Sequence, residues 1–390
     1  MYIYTYALNG SCIGGEMKES TGKSAFKKIG ACIPLWTAVV FAVLIVSLVL
    51  LPFIHSDVEF AESVNSTCGT AIRFVLTKIF DIFPFSFVEI LLIYSPILVY
   101  FLVRLICARA KKGAVYMWRT LVSFLAIGAV IMISFVFGYE ASYYGHSVEQ
   151  KIGFERRTVT TEELEQAAYI LLARTEAEIP DVKYPEGTYS SMDCTFAELN
   201  DKLNVAYARL VDGHPALDGM TSRAKPVILS EPWTYTHISG LYSFFTGEAN
   251  VNVNYPDFII ATSAAHEMAH QRGTGKEDEA DFIAYLVCTG SDDAYLRYAG
   301  NLEFFRSVMN QLYDSDRDAW TRLWETASDT VRGDLVSFSR FFDKYRENVA
   351  AQVNDVINDT YIQAHNQPAG VKTYDLVTEL VVSYVLYAED

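Results

Sequence analysis

The feature that most constrains this chain is a long apolar run near its N-terminus. From Ile29 to Ser56 the sequence contains no Asp, Glu, Lys or Arg, and the run at 33–54 is long enough to cross a hydrocarbon core of about 30 Å as a helix. The run is too long for the core of a cleaved signal peptide, and no small-residue cleavage site follows it. The sequence therefore predicts a retained membrane span.

Two further apolar segments, at 84–106 and 116–138, are predicted to span the membrane as well. Tyr116, Trp118 and Tyr139 flank the third segment, as aromatic residues do at membrane–water interfaces. Three spans place the two ends of the chain on opposite sides of the bilayer. We accordingly divide the chain into a tail (1–30), a three-span anchor (31–139) and a globular domain (140–390).

Basic residues predict the orientation of the anchor. They are concentrated in the N-terminal tail and in the loop after the second span, whereas the loop after the first span has only Arg73 and Lys78. The positive-inside rule then predicts a multi-pass protein of the cell membrane with a cytoplasmic N-terminus and an extracytoplasmic C-terminal domain. Glu89, near the outer end of the second span, is predicted to be a hydrated interfacial carboxylate rather than a functional intramembrane group.

The formal charge of -16 is divided unevenly between the two regions. Residues 1–139 carry 11 basic and 7 acidic side chains, and residues 140–390 carry 20 and 40. Such an acidic domain lacks the clustered Lys and Arg that phosphate contacts require, which excludes nucleic acid as a partner. The six cysteines are scattered without a CxxC pair, so packing rather than disulfide bonds is expected to stabilise the domain.

We predict an α+β fold class for the C-terminal domain, mostly helical with a small sheet. Thr160 with Glu163, and Thr195 with Glu198, have the spacing of capping boxes that open helices. Strands are predicted at 225–230 and 238–254, the latter bent around 246–247, and helices at 258–272, 276–289, 292–313, 318–346, 349–364 and 372–387.

The predicted helix at 258–272 contains the sequence His266-Glu267-Met268-Ala269-His270, an HExxH pattern. Histidines at i and i+4 project from one helical face, so their imidazoles can bind one metal ion together, and Glu267 can reach a water molecule beside that ion. Zinc suits two imidazoles and a carboxylate, and it lowers the pKa of a bound water toward about 7. The pattern therefore predicts zinc-assisted hydrolysis with Glu267 as the general base.

A third ligand is available seven residues beyond His270. Gly273 allows the chain to end one helix and fold back as a helical hairpin, which brings Glu277 to the two histidines. Asp281 lies one turn beyond Glu277 on the same face, where it can accept the ring N–H of a ligand histidine. The expected zinc ligands are thus His266, His270 and Glu277, with Asp281 behind them.

Two other assignments compete for these acidic residues. Thr274 with Glu277 fits a capping box, in which Glu277 would merely cap its own helix. Glu279 points to nearly the opposite side of the helix and is the other carboxylate that could serve as the third ligand.

The motif His266-Glu267-x-x-His270 followed by Glu277-x-x-Ala280-Asp281 resembles the gluzincin metallopeptidases, which range from thermolysin to membrane-bound prenyl-protein and quality-control proteases. The resemblance implies a zincin fold in which Glu277 is the third zinc ligand and Asp281 orients a histidine. Nearly the whole chain also resembles an uncharacterised family of bacterial membrane proteins, which implies no established substrate. The segments that carry this second resemblance are the three N-terminal spans, GEANVN, HEMAHQRGTGKEDEADFIAYLVC, LRYAG and QPAGVKTY.

The sequence departs from the related patterns at two points. The spacing between His270 and Glu277 is far shorter than in most gluzincins. The longer pattern HExxHxxG is completed by Gly273, but Lys276 stands where a metzincin has its third histidine, which argues against that clan.

The gluzincin layout implies two further elements. An edge strand before the metal helix, here within 240–254, would pair with an extended substrate, although an ordinary hairpin is the alternative. An oxyanion stabiliser normally comes from a later segment. Tyr298 is our predicted catalytic residue of this kind, and Arg297, His365 and Tyr374 are further candidates.

The sequence thus predicts a membrane-anchored zinc metallopeptidase that cleaves peptide bonds outside the cytoplasmic membrane. Its expected partners are Zn²⁺, the lipid bilayer, and a peptide or protein substrate in the cell envelope or outside the cell. The competing hypothesis is a non-catalytic membrane sensor or scaffold with a structural zinc site. Glu267 favours the enzyme, because a structural site has no use for a carboxylate beside its first ligand.

Overall fold

The N-terminal apolar segments form long helices joined by shorter ones. The computed structural model describes residues 33–185, 189–368 and 373–388, the side chains of 373–375 excepted, so the predicted tail at 1–30 lies outside the described residues. The first five helices are α1 (Leu35–Ser56), α2 (Val58–Val64), α3 (Thr70–Phe80), α4 (Phe87–Ala110) and α5 (Ala114–Gly138), with a π-helical turn at Asn65–Gly69.

Within the described residues, α1, α4 and α5 are the three helices long and apolar enough to cross a membrane. Their bounds lie within a few residues of the predicted spans at 33–54, 84–106 and 116–138. The prediction of three apolar segments of membrane-spanning length is therefore confirmed, and the chain is a membrane protein by this criterion.

The C-terminal region is mostly helical and contains one small sheet in the part of the chain that the structure describes, as the α+β prediction expected. Its helices are α6 (Val148–Ile152), α7 (Thr161–Glu178), α8 (Phe196–Gly213), α9 (Ser230–Thr234), α10 (Asp257–Gln271), α11 (Glu277–Thr289), α12 (Ala294–Ser315), α13 (Arg317–Thr326), α14 (Asp329–Asp343), α15 (Val349–Ala364) and α16 (Thr373–Tyr387). Its strands are β1 (Ala224–Pro226), β2 (Gly240–Ser243) and β3 (Glu248–Val251). Helices α10 and α11 lie in the main apolar core, where Phe258, Met268 and Phe282 are almost fully buried.

The sheet has the order β1-β3-β2, with β1 parallel and β2 antiparallel to β3, so β2 is an edge strand. Strands β2 and β3 are bent around Gly247, which has a φ of 68°, as predicted. The predicted strand at 225–230 is shorter than expected. The backbone N–H groups of Ile228 and Leu229 donate to the Glu89 carboxylate in the first turn of α4 instead of extending the sheet.

The predicted helix starts are largely correct. Both capping boxes are formed, at Thr160 with Glu163 and at Thr195 with Glu198. The single helix predicted at 318–346 is wrong, because the chain breaks there into α13 and α14. The Ser328 side chain accepts a hydrogen bond from the Val331 N–H and so starts a new helix.

The segment between the first two spans is hydrogen-bonded to the C-terminal region. Asn65 Nδ2 donates to the Gly273 carbonyl at 3.0 Å, and Thr77 Oγ1 donates to the Gly247 carbonyl at 3.0 Å. The buried Arg73 guanidinium donates to the Gly138 carbonyl at the end of α5 at 2.8 Å. Because these bonds cross no bilayer, the loop between α1 and α4 lies on the same side of the membrane as the C-terminal region.

Two buried carboxylates join the start of α4 to this region. Glu89 is 1% exposed and binds the two backbone N–H groups before α9, so the prediction of a hydrated interfacial carboxylate is wrong. Glu248 on β3 accepts from the N–H groups of Phe87 and Val88 and from Lys225 Nζ, which lies 2.7 Å away. Carboxylates at the N-terminus of a helix are stabilised by its unpaired N–H groups and by its dipole. The sheet is thereby fixed to the N-terminal end of α4.

We expect Lys225→Met to destabilise the protein strongly. The substitution leaves the Glu248 carboxylate buried without its cation, a change that costs about 3–5 kcal/mol and corresponds to a fall in Tm of about 10 °C. Thermal unfolding of the full-length protein in detergent measures this fall. The matched control is Lys183→Met, since Lys183 and Asp193 form an ion pair on the exposed surface, and its Tm should change little. Equal shifts for the two variants would contradict this account of the sheet.

Candidate metal centre

The site is built on the helical hairpin of α10 and α11. Helix α10 ends just before Gly273, whose φ of 86° only glycine adopts without strain, and α11 begins at Glu277. A Cβ at Gly273 would also lie 2.3 Å from the Arg73 guanidinium, so the turn leaves no room for a side chain. Ala280 and Ala284 are buried on α11, which permits close packing of the two helices. The predicted helical hairpin is confirmed.

The hairpin brings three potential ligand atoms together. His266 Nε2 and His270 Nε2 lie 3.0 Å apart, and Glu277 Oε2 lies 3.2 Å from the first and 3.7 Å from the second. These are the residues of a possible metal site in the described part of the chain. With bonds of about 2.0–2.1 Å, a tetrahedral zinc ion separates neighbouring ligand atoms by about 3.3–3.4 Å. The observed separations bracket that value, so the donor set fits zinc in size and in chemistry.

The ring nitrogens on the far side of each histidine fix its tautomer. His266 Nδ1 lies 2.6 Å from the Asp281 carboxylate, and His270 Nδ1 lies 2.7 Å from the Thr274 carbonyl. Both partners only accept hydrogen bonds, so each Nδ1 carries the proton and donates it. With the proton of each ring on Nδ1, both Nε2 atoms point toward one another, an arrangement that a shared cation stabilises. Asp281 thus lies where the sequence predicted.

The electrostatics of the cluster also favour positive charge between these atoms. Burial lowers the pKa of His266, but the carboxylates of Asp281 and Glu277 outweigh it and hold that pKa well above its ordinary value. Burial alone would raise the pKa of Glu277, yet the two imidazoles hold it well below its usual range. A proton on one imidazole would balance part of the negative charge of these carboxylates. A metal ion would bind all three ligand atoms at once.

The competing assignments for the acidic residues of α11 differ from what is observed. Lys276 is the N-cap residue of α11 and provides no side-chain cap, so the capping box of Thr274 with Glu277 is not formed. Glu279 is buried away from the histidines and forms an ion pair with Lys276 at 2.8 Å. Glu277 is therefore the carboxylate that reaches the cluster.

Glu267 is buried beside the cluster and is only 4% exposed. Its Oε2 has no hydrogen-bond partner among the described residues. Its other oxygen lies against β2, since a Cβ added to Gly240 would be 2.4 Å from Oε1. Burial raises the pKa of Glu267 to about 7, with the imidazoles opposing the rise. A buried carboxylate that lies beside a strand and has one oxygen without a protein hydrogen-bond partner can exchange a proton with a water molecule or a substrate.

The structure adds an aromatic wall that the sequence did not predict as part of the site. The hydroxyl of Tyr139, directly after α5, lies 3.3 Å from His270 Nδ1, and Tyr242 of β2 stacks at 6.2 Å from the His270 ring. Tyr361 of α15 contacts Tyr143 through its hydroxyl at 3.3 Å. Burial raises the pKa of Tyr242 to about 12 and raises that of Tyr361, so both hydroxyls stay protonated. Tyr139 was recognised from the sequence only as an interfacial residue.

The four candidates for the oxyanion-stabilising residue lie in different parts of the structure. Tyr298, our predicted catalytic residue, is fully buried in the core, and its hydroxyl donates a hydrogen bond to Asp334. Its contacts in the described residues are not with the histidine cluster. Arg297 forms an ion pair with Glu178 at 2.7 Å. The side chain of Tyr374 lies outside the described residues. His365 is the candidate that lies in the aromatic wall, with its ring 4.3 Å from that of Tyr361.

Zinc binding is expected to depend on Glu277 and not on Glu279. Glu277→Gln removes the charged oxygen nearest the two imidazoles, so zinc affinity should fall by at least about 10-fold. Glu279→Gln removes the same charge from the opposite side of α11 and should retain zinc. Competition of the full-length protein with a zinc-selective chelator measures both affinities. If Glu279→Gln lost zinc and Glu277→Gln retained it, the third ligand would be Glu279 and not Glu277.

Comparison with known proteins identifies a family but no characterised relative. A family model described as a protein of unknown function (DUF3810) matches residues 67–382. The match begins between the first two spans, includes the α10–α11 hairpin, and ends within α16. No curated protein and no solved structure matches the chain. Because the family model covers most of its length, the chain belongs to the DUF3810 family of proteins of unknown function.

Proposed function

We propose that this protein is a membrane-anchored zinc metallopeptidase of zincin-like fold, with its active site on the extracytoplasmic side. The observation that carries the proposal is the pairing of two features. Three ligand atoms from His266, His270 and Glu277 converge on one point, and the buried Glu267 carboxylate beside them keeps one oxygen without a protein partner in the described residues.

The number of ligands favours catalysis over a structural role. Structural zinc sites are closed by four protein ligands, whereas catalytic sites use three and keep one position for water or substrate. The cluster in the described residues offers three ligand atoms. A sensor or scaffold with a structural zinc site would require a fourth ligand and would leave the buried carboxylate of Glu267 without a role.

Each residue has a defined part in peptide hydrolysis. Zinc bound there would polarise the scissile carbonyl and make a water molecule more acidic. Glu267 would take a proton from the attacking water and pass it to the leaving amine. Asp281 would hold His266 in the tautomer that directs Nε2 toward the metal, and the Thr274 carbonyl would do the same for His270.

The substrate class follows from the strand beside Glu267. Strand β2 has a strand partner on one side only within the described residues, and Gly240 brings its backbone against the Glu267 side chain. An extended polypeptide added to that free edge would pass next to the proposed base. A peptide or protein chain is therefore the proposed substrate.

The proposed orientation rests on the basic residues. The start of α4 and the last turn of α5 contact the C-terminal region, through Glu248 and through Phe244, so the connecting loop at 111–113 lies at the opposite end. Arg109, Lys111, Lys112 and Arg119 cluster around that loop. The positive-inside rule places it in the cytoplasm and the metal centre outside.

Glu267→Gln should abolish peptide cleavage while retaining zinc. The amide cannot accept the proton from water, so kcat should fall by at least about 100-fold, the usual contribution of a general base. Cleavage of a peptide library by the full-length protein, with zinc content measured on the same sample, tests this. Glu347→Gln, which changes an exposed carboxylate, should behave as the wild type. Full cleavage by Glu267→Gln would contradict the proposal.

Gly240→Ala should impair cleavage without removing zinc. The added methyl group would overlap the Glu267 carboxylate and displace it from the position between β2 and the cluster. Gly213→Ala is the control, because a Cβ there meets open space. We expect kcat of the Gly240 variant to fall by at least about 10-fold, as displacement of a general base does. Wild-type kcat in this variant would show that the position of β2 is irrelevant to catalysis.

A further inference from the structure

Helix α15 exposes an apolar face. Val349, Val353, Val356 and Ile357 are between 53% and 74% exposed. At 100° per residue these positions, together with the exposed Thr360, lie on one side of the helix, and no charged residue lies among them. The result is a continuous apolar stripe on the outside of the protein.

The inward side of the same helix carries the buried apolar side chains of Ala351 and Ile362 together with polar side chains that have hydrogen-bond partners. Asn354 Nδ2 donates to the Thr236 carbonyl at 3.1 Å, and the partly buried Tyr361 contacts Tyr143. Just beyond the last turn, His365 Nε2 lies 3.3 Å from the Glu140 carboxylate. The outward face of α15 is thus apolar, the reverse of the outward face of a helix on a water-exposed surface.

Helix α8 of the same region shows the ordinary arrangement. Leu199, Leu203 and Tyr207 are buried, whereas Asp201 and Arg209 are exposed. A contiguous apolar patch on a soluble surface is unfavourable and marks a contact with a partner or a membrane. The stripe on α15 therefore requires an occupant other than water.

The position of α15 relative to the membrane spans identifies that occupant. At its C-terminal end, the His365 ring lies 5.5 Å from Phe135 in the last turn of α5. Glu140, which binds His365, also accepts from His55 in the last turn of α1 at 2.8 Å. The end of α15 is thus in contact with the outer ends of two spans.

A second connection holds the middle of α15 near the second span, α4. Asn354 binds Thr236, and the segment leading to Thr236 begins at Ile228 and Leu229. The N–H groups of those two residues bind Glu89 in the first turn of α4, and both side chains are exposed. The helix is therefore held at its end and its middle by elements attached to the outer ends of all three spans.

Helix α3, between the first two spans, has the same reversed polarity. Its inward residues Arg73 and Thr77 are buried, while Phe74, Val75 and Ile79 are exposed. Two helices at the level of the span ends thus direct apolar side chains outward.

We propose that α15 is an interfacial membrane helix whose stripe of Val349, Val353, Val356 and Ile357 is inserted into the lipid leaflet next to the C-terminal region. The occupant of the stripe is the bilayer, with the apolar side chains about 5–10 Å below the headgroup boundary. The inward side chains of α15 form part of the wall of the metal centre, so the helix separates that centre from lipid. The inference is independent of the peptidase activity, because it concerns only the contact between α15 and the membrane.

Depth-dependent fluorescence quenching tests this insertion. The full-length protein, with Cys12, Cys32, Cys68, Cys107 and Cys194 replaced by serine and the buried Cys288 retained, receives a single accessible cysteine by Val356→Cys and is labelled with an environment-sensitive fluorophore. It is then reconstituted into phosphatidylcholine vesicles that contain lipids with a nitroxide on the upper acyl chain. We expect the nitroxide lipids to reduce the fluorescence by about half or more, as for a probe at the headgroup–acyl boundary.

Two matched positions provide the controls. Asp355→Cys places the label on the same turn of α15 but away from the stripe, and Val205→Cys places it at an exposed valine on α8. Neither should be quenched by the nitroxide lipids, and both should be quenched by aqueous iodide. Quenching of the Val356 label by iodide and not by lipid would overturn the proposal. Protection of that label from both quenchers would also overturn it, in favour of a protein partner or a second copy of the chain.

Discussion

The buried hydrogen bonds at the span ends next to the C-terminal region determine where the candidate metal centre lies. A polar group removed from water must be hydrogen-bonded, and here the partners come from the two turns that shape the site. Asn65 binds the carbonyl of Gly273 in the α10–α11 turn, and Thr77 binds the carbonyl of Gly247 in the β2–β3 turn. The anchor and the candidate site are therefore parts of one packed unit, and the site is held close to the membrane surface.

Hydrogen bonds of the buried polar side chains fix the geometry of the α10–α11 hairpin. Two imidazoles, each with its Nδ1 proton donated to a fixed acceptor, direct their remaining nitrogens toward one carboxylate. A cation between these atoms stabilises such a buried cluster, because two Nε2 atoms and the Glu277 carboxylate lie within 3.0–3.7 Å of one another. Glu267, offset around the helix from the histidines, keeps one oxygen without a hydrogen-bond partner in the described residues and is therefore our proposed proton acceptor.

The sequence predicted the features that depend on local periodicity. The i, i+4 spacing of the histidines, the glycine at 273 and the face shared by Glu277 and Asp281 specify the hairpin through neighbouring residues alone, and the structure has each of them. Prediction failed where the partner is distant in the chain. Glu89 finds its N–H donors some 140 residues later, and Tyr298 is held by Asp334 on a separate helix. The same holds for Tyr139 and Tyr361, whose approach to the site depends on how α5 and α15 pack.

The central claim is that His266, His270 and Glu277 bind zinc and leave one position open. Zinc K-edge X-ray absorption on the full-length protein, as purified, reports the identity and the distances of the ligand atoms together. The account predicts about one zinc ion per chain, with nitrogen and oxygen neighbours at about 2.0–2.1 Å, the scattering pattern of two imidazoles and no sulfur. Protein without bound zinc, or zinc with sulfur neighbours at about 2.3 Å, would contradict it.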